Sequence, residues 1–263
     1  MSIHTLNKTF LDKFKISGFF QSEKRGGQKV VYFPIVDGAN CVLKLFHGGA
    51  DDRFVRELQI YEKYKALSGI TKVISVETYG TDTLVFEEYI PGQTLVDIVP
   101  SYAGNTTEIS TLIKSIINIL DPIWTDRYVH RDIKPENVII QSDGSPVVID
   151  FGIARDLDAS SITGTGWQPK SWRFAAPEQF AGQKDQISYR TDFFSLGLLA
   201  YYLYYQQLPF GSTEADVDAR FKSGNESFVS DTNFALHSFC QQALKFSPAE
   251  RPRLIKDLYN LLP

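Results

Sequence analysis

The sequence predicts a two-lobed α+β protein: a small β-rich lobe to about residue 88, a short connector over about 88–93, and a larger helical lobe over about 94–263. Three observations predict it. The first third consists of short runs rich in β-branched and aromatic residues, broken by turn signals. The stretch EISTLIKSIINIL (108–120) sets apolar residues at 109, 112, 113, 116, 117 and 120, the spacing of one helix face. From about 191 the chain reads helical to the end, and its most apolar run, FFSLGLLAYYLYY (193–205), is too short to span a bilayer and reads as a core helix.

Along the chain, the opening MSIHTLNKTFLDKFKISGFF lacks the apolar centre of a secretory signal, because lysines and Asp12 interrupt it. Its amphipathic TFLDKFKISGFF is expected to pack on its own domain. KRGGQKVVY (24–32) sets two glycines among basic residues, which by itself suits either a tight turn or a phosphate cradle. VVYFPIV (30–36), the Asp37–Gly38 pair and CVLKLF (41–46) predict a hairpin. DDRFVRELQIYEKYKAL (51–67) repeats apolar residues at 54, 55, 58, 61 and 64 and predicts a helix. KVISVETYG and TLVFEEYI predict two further strands, and PGQTL (91–95) breaks the pattern at the boundary. Beyond the long helix, NVII, QSDGSP and VVIDFG predict a second hairpin, again with Asp-Gly at its turn.

Composition removes several classes of function. A net charge of −4 gives no electrostatic footprint for nucleic acid. Cys41 and Cys240 have no metal-type spacing and fit the reduced thiols of a cytoplasmic protein. No run is suited to a membrane.

The chemistry concentrates in HRDIKPENVII (130–140) and DFG (150–152). Asp132 and Asn137 lie on a loop entering one strand of the second hairpin, and Asp150 ends its partner. Pairing of those strands brings Asn137 and Asp150 together as hard oxygen donors suited to Mg²⁺. Asp132 then stands beside them with Lys134 two residues on. A carboxylate base, a cation and a metal clamp are the parts phosphoryl transfer needs, since its barrier falls by positioning and charge neutralisation.

With these motifs the chain resembles a eukaryotic-type (Hanks-type) serine/threonine protein kinase domain over nearly its full length. The resemblance implies a bilobal kinase fold with ATP and Mg²⁺ bound between the lobes and a protein serine or threonine as acceptor. It implies Asp132 as the base, Lys134 as the cation on the transferring phosphoryl group, and Asn137 and Asp150 as Mg²⁺ ligands. Lys44 in VLK matches the strand lysine that grips the α- and β-phosphates, with Glu57 as its helix partner and Glu62 the less favoured choice. AAPEQ (175–179) and SPAERP supply Glu178 and Arg251 as the pair that closes the activation segment, and TDFFSLG supplies Asp192 as the brace of the catalytic loop. Lys134 followed by proline favours serine/threonine over tyrosine acceptors.

The same resemblance places hinge backbone groups near Glu88 and Tyr89 on the adenine edge, with Val31 and Val42 lining the base. It leaves the back of that pocket to Phe86 or Glu87. It makes Arg131 a receptor for an activation-segment phosphate, with Thr163 and Thr165 as acceptors and Ser171 as a structural contact of the catalytic aspartate and lysine. Aligned on VVY, the glycine-rich loop G-x-G-x-x-G-x-V becomes residues 24–31. Gly26 is kept and Gly27 follows it, while Lys24 and Lys29 replace the outer glycines. Weaker or differently held ATP is expected, because a Cβ limits how closely backbone N–H groups approach phosphate. Two rival readings compete with this one. A small-molecule kinase would carry glycine in place of Arg131 and lack the Ala-Pro-Glu segment. A pseudokinase or scaffold would show loss among Lys44, Asp132, Asn137 and Asp150, and all four are present. The chain stops soon after the last family landmark, so recruitment is expected to use the surface, the N-terminal extension or a regulatory protein partner.

Overall fold

The computed structural model describes residues 6–25, 29–47, 52–151, 155–156 and 172–263, with the side chains of 52–57 and 155–156 excepted. The chain divides into two compact units, Met1–Ala66 with Thr71–Ile90 and Leu67–Ile70 with Pro91–Pro263. The first is mainly sheet and the second mainly helix, an α+β architecture.

The first unit begins with helix α1 (Lys8–Lys13), started by Asn7, whose side-chain oxygen accepts the Phe10 N–H at 2.9 Å. Strands β1 (Ile16–Arg25), β2 (Lys29–Val36) and β3 (Ala39–Phe46) precede helix α2 (Asp52–Lys63), and β4 (Val73–Tyr79) and β5 (Asp82–Glu88) follow it. They form one antiparallel sheet in the order β1-β2-β3-β5-β4. The β2–β3 turn is the predicted Asp37–Gly38 pair, with φ of 47° and 82° at its two residues, so both adopt the left-handed conformation that a two-residue hairpin requires. Alternation then sorts β3 into two faces. Leu43 and Leu45 join Leu84 and Phe86 of β5 in a buried cluster closed by Phe10 of α1 and by Ile16. Phe10 meets Tyr79 edge-on at 5.0 Å between ring centroids. The amphipathic N-terminal segment therefore packs on its own sheet.

The second unit opens with β6 (Gln93–Thr94), α3 (Leu95–Ile98) and the long α4 (Thr106–Thr125). Next come β7 (Tyr128–Val129), β8 (Val138–Ile140), β9 (Pro146–Val148) and β10 (Arg155–Asp156). Helices α5 (Pro177–Phe180), α6 (Tyr189–Tyr205), α7 (Glu214–Ser223), α8 (His237–Ala243) and α9 (Ile255–Tyr259) complete it. The six apolar positions predicted for one face of α4 are all buried, Ile109 and Ile113 completely. Helix α6 is apolar nearly all round and is buried accordingly, with Phe193 edge-on to Trp124 of α4 at 5.3 Å. Leu67–Ile70 also belongs to this unit. The Val148 N–H donates to the Gly69 carbonyl at 2.8 Å, and Ile70 bridges Val148. Gly69 has φ of +85°, and a Cβ there would lie 2.5 Å from the Ile119 side chain, so only glycine suits the position. Among the described residues, no helix is long and apolar enough to cross a membrane.

Candidate active site

The loop between β7 and β8 carries the predicted motif. The β8–β9 hairpin pairs Val138 with Val148, and one step further the Ile149 N–H donates to the Asn137 carbonyl at 2.9 Å. Asp150 follows Ile149 at the mouth of the hairpin, near enough to Asp132 for its charge to act on that carboxyl. Asp150 has φ of 67° and Arg131 φ of 71°, a conformation uncommon outside glycine that concentrates at functional sites. Around Asp132 the contacts are short: Lys134 Nζ reaches Oδ2 at 2.7 Å, and Asn137 Nδ2 reaches Oδ2 and the backbone carbonyl at 2.8 Å each. Burial pushes the Asp132 carboxyl above its usual range; Lys134 opposes that rise, Asp150 adds to it, and Asn137 opposes it through its hydrogen bond. A carboxylate held by two donors yet shifted toward proton affinity suits a general base.

The same loop offers donors for Mg²⁺. Asn137 spends its amide nitrogen on Asp132, so its amide oxygen is the atom that could serve a metal. Among the described residues no group of three or more His, Cys, Asp or Glu could hold an ion by itself. Mg²⁺ is commonly held by one or two carboxylates together with substrate phosphates, so an Asn–Asp pair fits it.

Behind this loop lies a brace. Asp192, fully buried on α6, accepts from Trp124 Nε1 and the His130 N–H at 2.8 Å each and from the Arg131 N–H at 2.7 Å. Burial pushes Asp192 upward, while His130 and the three N–H donors oppose the rise. Burial lowers His130, keeping the imidazole neutral. A neutral ring is what its contacts need: Nδ1 accepts the Asp132 N–H at 3.2 Å, so Nε2 carries the proton toward the Ile149 carbonyl at 3.3 Å. Phe151, fully buried, packs against that ring at a 60° tilt, with centroids 4.5 Å apart. One histidine thus ties the Asp132 loop to the strand that leads into Asp150.

After the activation segment, Glu178 and Arg251 meet in a buried bidentate pair, both contacts 2.7 Å. Gln179 of α5 accepts the Ala176 N–H at 3.2 Å and donates to the Arg131 carbonyl at 2.9 Å. It therefore fastens the end of that segment to the strained residue preceding Asp132.

In the first unit, cross-strand pairing decides which residues share a face with Lys44. Val31 lies opposite Lys44, and Glu87 lies opposite Val42. Val31, Val42, Lys44 and Glu87 therefore share one face, and Phe86 faces the hydrophobic cluster on the other. Lys44 Nζ contacts Glu87 Oε1 at 2.7 Å, both side chains buried. At the end of β5, the Glu88 N–H donates to the Lys72 carbonyl at 2.9 Å, and its carboxylate accepts the Lys72 N–H at 3.0 Å. Tyr89 packs edge-on against Phe20 at 4.9 Å. Lys29 opposes Phe46, with Nζ 6.0 Å from that ring, and Lys24 lies 5.9 Å over Phe33.

Gly26, Gly27, Thr163, Thr165 and Ser171 fall outside the described residues, as does the side chain of Glu57 on α2. Sequence reasoning assigned no role to His130, Gln179 or Trp124. His130 lies within the HRDIKPENVII motif; the other two reach the loop through hydrogen bonds to groups distant in sequence, Gln179 to Arg131 and Trp124 to Asp192, for which no local pattern exists.

Comparison with known proteins agrees with this geometry. The model of the protein kinase domain family matches residues 42–260. A probable serine/threonine-protein kinase of Clostridium perfringens is 28% identical over 72% of this chain and 28% of its own length. Serine/threonine-protein kinase D of Synechocystis is 30% identical over 74% of the chain and 38% of its own. Serine/threonine-protein kinase PrkC of Bacillus subtilis is 26% identical over 76% of the chain and 32% of its own. The chain thus spans well under half the length of these curated relatives. The matched span runs from Val42 through the Asp132 loop, the Asp150 hairpin and the Glu178–Arg251 pair, and by it the chain belongs to the protein kinase domain family.

Proposed function

We propose that this chain transfers the γ-phosphoryl group of ATP to a serine or threonine hydroxyl of a protein. The observation that carries the reading is the Asp132 carboxylate, shifted toward proton affinity and held by Lys134 and Asn137 at 2.7 and 2.8 Å. The acceptor oxygen attacks the γ-phosphorus in line, the bond to the β–γ bridging oxygen breaks, and ADP departs. Asp132 orients the hydroxyl and takes its proton. Lys134 balances charge on the phosphoryl oxygens, and Lys44 holds the α- and β-phosphates. Asn137 and Asp150 would hold Mg²⁺, which when bound supplies further neutralisation of the phosphates. Val31 and Val42 line the base, with hinge backbone groups near Glu88 and Tyr89 on its edge. Arg131 would receive a phosphate placed on Thr163 or Thr165. Two buried free thiols, Cys41 and Cys240, support a cytoplasmic setting.

The deciding experiment measures phosphate incorporation into a serine/threonine peptide library with ATP and Mg²⁺. Asp132→Asn is expected to lose roughly 10²–10⁴-fold of the rate. Equal labelling by wild type and variant overturns the assignment. For the glycine-poor loop, Lys29→Gly is expected to weaken ATP binding if the lysine's charge compensates for the missing glycine; tighter binding would make Lys29 an obstacle.

A further inference from the structure

We propose that Glu87 is a positioning residue for Lys44: the lysine that holds ATP phosphates is anchored from inside its own sheet. The inference rests on the kinase reading and deepens it, since the resemblance assigns that anchor to Glu57 of α2.

The geometry supporting it begins with strand register. Glu87 opposes Val42 and Lys44 opposes Val85, so the two charged side chains project from the same face, one diagonal step apart. Their contact is 2.7 Å, with Lys44 5% and Glu87 3% exposed. At that burial an ammonium needs a close counter-charge, because its desolvation is otherwise uncompensated. The backbone bearing the carboxylate is fixed on both sides: β5 lies between β3 and β4, and Glu87 pairs with Val42 on one and Val73 on the other. The next residue, Glu88, is tied twice to Lys72.

A lysine is a compact charge on a flexible four-carbon stem, so its position is set by what holds the ammonium. A carboxylate on a helix holds it only while that helix is in place. A carboxylate on a central strand holds it as long as the sheet exists. Glu87 therefore directs the Lys44 ammonium from within the sheet.

The test titrates ATP with Mg²⁺ into wild type, Glu87→Leu, Glu87→Gln, Glu87→Asp and Lys44→Met, and measures KM for ATP and for peptide. Glu87→Leu is expected to weaken ATP binding roughly tenfold, the scale of one charge-assisted hydrogen bond, with KM for peptide unchanged. Glu87→Asp, which keeps the charge, recovers part of the loss. In the Lys44→Met background, Glu87→Leu adds nothing further. Should Glu87→Leu fail to fold, the near-isosteric Glu87→Gln decides, with weakened ATP expected. Unchanged or tighter ATP binding in the folded Glu87 variants overturns the proposal, and coupling of the pair seen only in thermal stability does the same. Wild type that phosphorylates while its Glu87 variants bind ATP normally loses this inference alone. ATP binding that depends on Glu87 without phosphoryl transfer loses the catalytic reading alone.

Discussion

Arg251 and Glu178 in the second unit meet through two parallel contacts of 2.7 Å, and Arg251 also donates to the carbonyls of Lys245, Arg190 and Phe246. The guanidinium lies 4.8 Å from the Phe194 ring centroid as well. Lys44 and Glu87 in the first unit meet through one contact between a flexible ammonium and one carboxylate oxygen. Both pairs are buried, so burial alone does not separate them. Their geometry does. A planar fork whose N–H groups reach five acceptors fixes three chain segments at once and cannot let go without local unfolding. An ammonium on a four-carbon stem meets its carboxylate as a point charge, with no fork to lock the geometry. The first arrangement is a clasp for the fold, and the second suits a group that serves a substrate which comes and goes.

The largest expected effect follows from breaking the clasp. Arg251→Ala strands a buried Glu178 carboxylate and removes donors from three carbonyls, so about 3–5 kcal/mol of stability is lost. Urea denaturation measures it; a midpoint within error of wild type would contradict the clasp. A sharper version replaces both members of each pair. Removing a buried ion pair as a unit is often neutral, or stabilising by about 1–4 kcal/mol, provided no other partner is abandoned. Arg251→Met with Glu178→Leu abandons three backbone carbonyls and is expected to remain destabilising. Lys44→Met with Glu87→Leu removes both ends of its contact and is expected to cost less than Lys44→Met alone, which strands the buried Glu87 carboxylate. A double variant no more stable than Lys44→Met would show that the contact carries no such weight.

The two pairs were unequally legible. Glu178 and Arg251 stand in motifs whose order along the chain is enough to identify them. Glu87 does not, and the reason is physical. Strand β5 is buried at Asp82, Thr83, Leu84, Val85, Phe86 and Glu87 alike, so period-two alternation carries no phase. Two adjacent glutamates then make a one-residue slip invisible, although that slip exchanges the faces of Phe86 and Glu87. Helix α4 is the opposite case: one face is buried and the other is not, and all six positions its spacing named are buried, although Ser110, Ile123 and Trp124 are buried beside them. The hairpin that carries Asn137 and leads into Asp150 was readable as a hairpin, but Asp-Gly did not fix its register. Ile140 pairs with Pro146 and the Gln141 N–H reaches the Ser145 carbonyl, so Ser142, Asp143 and Gly144 form a three-residue loop where a two-residue turn would have shifted the pairing by one. Leu67–Ile70 joins the second unit through one bridge and one backbone hydrogen bond, which no side-chain pattern records.

A smaller effect asks whether the brace behind the Asp132 loop resembles the clasp in being saturated. Trp124→Phe keeps the ring against Phe193 and deletes one of three donors to the buried Asp192 carboxylate. A hydrogen bond to a charged group is worth about 1.5–3 kcal/mol, and that loss is expected in denaturation. An unchanged midpoint would show that the two backbone donors suffice.

The smallest effect concerns the neutral histidine that completes the same brace. Burial holds the His130 pKa below its usual 6.5, so the unfolded chain binds a proton that the folded one refuses. The corresponding stability is fully present above pH 6.5 and is lost as pH falls from there toward the lowered folded value. One such group contributes at most about 1.4 kcal/mol per pH unit. The buried carboxyls Asp132 and Asp192 work in the other direction: their folded values are raised, so the cost of ionising them is relieved as pH falls through those values. Denaturation of wild type and His130→Phe between pH 7 and 5 separates the terms, because only wild type carries the histidine component. The variant is expected to be less stable at pH 7 and to lose less on acidification. Parallel pH profiles would mean that His130 titrates alike in the folded and unfolded chain, and the neutral ring could no longer be what links Asp132 to the strand leading into Asp150.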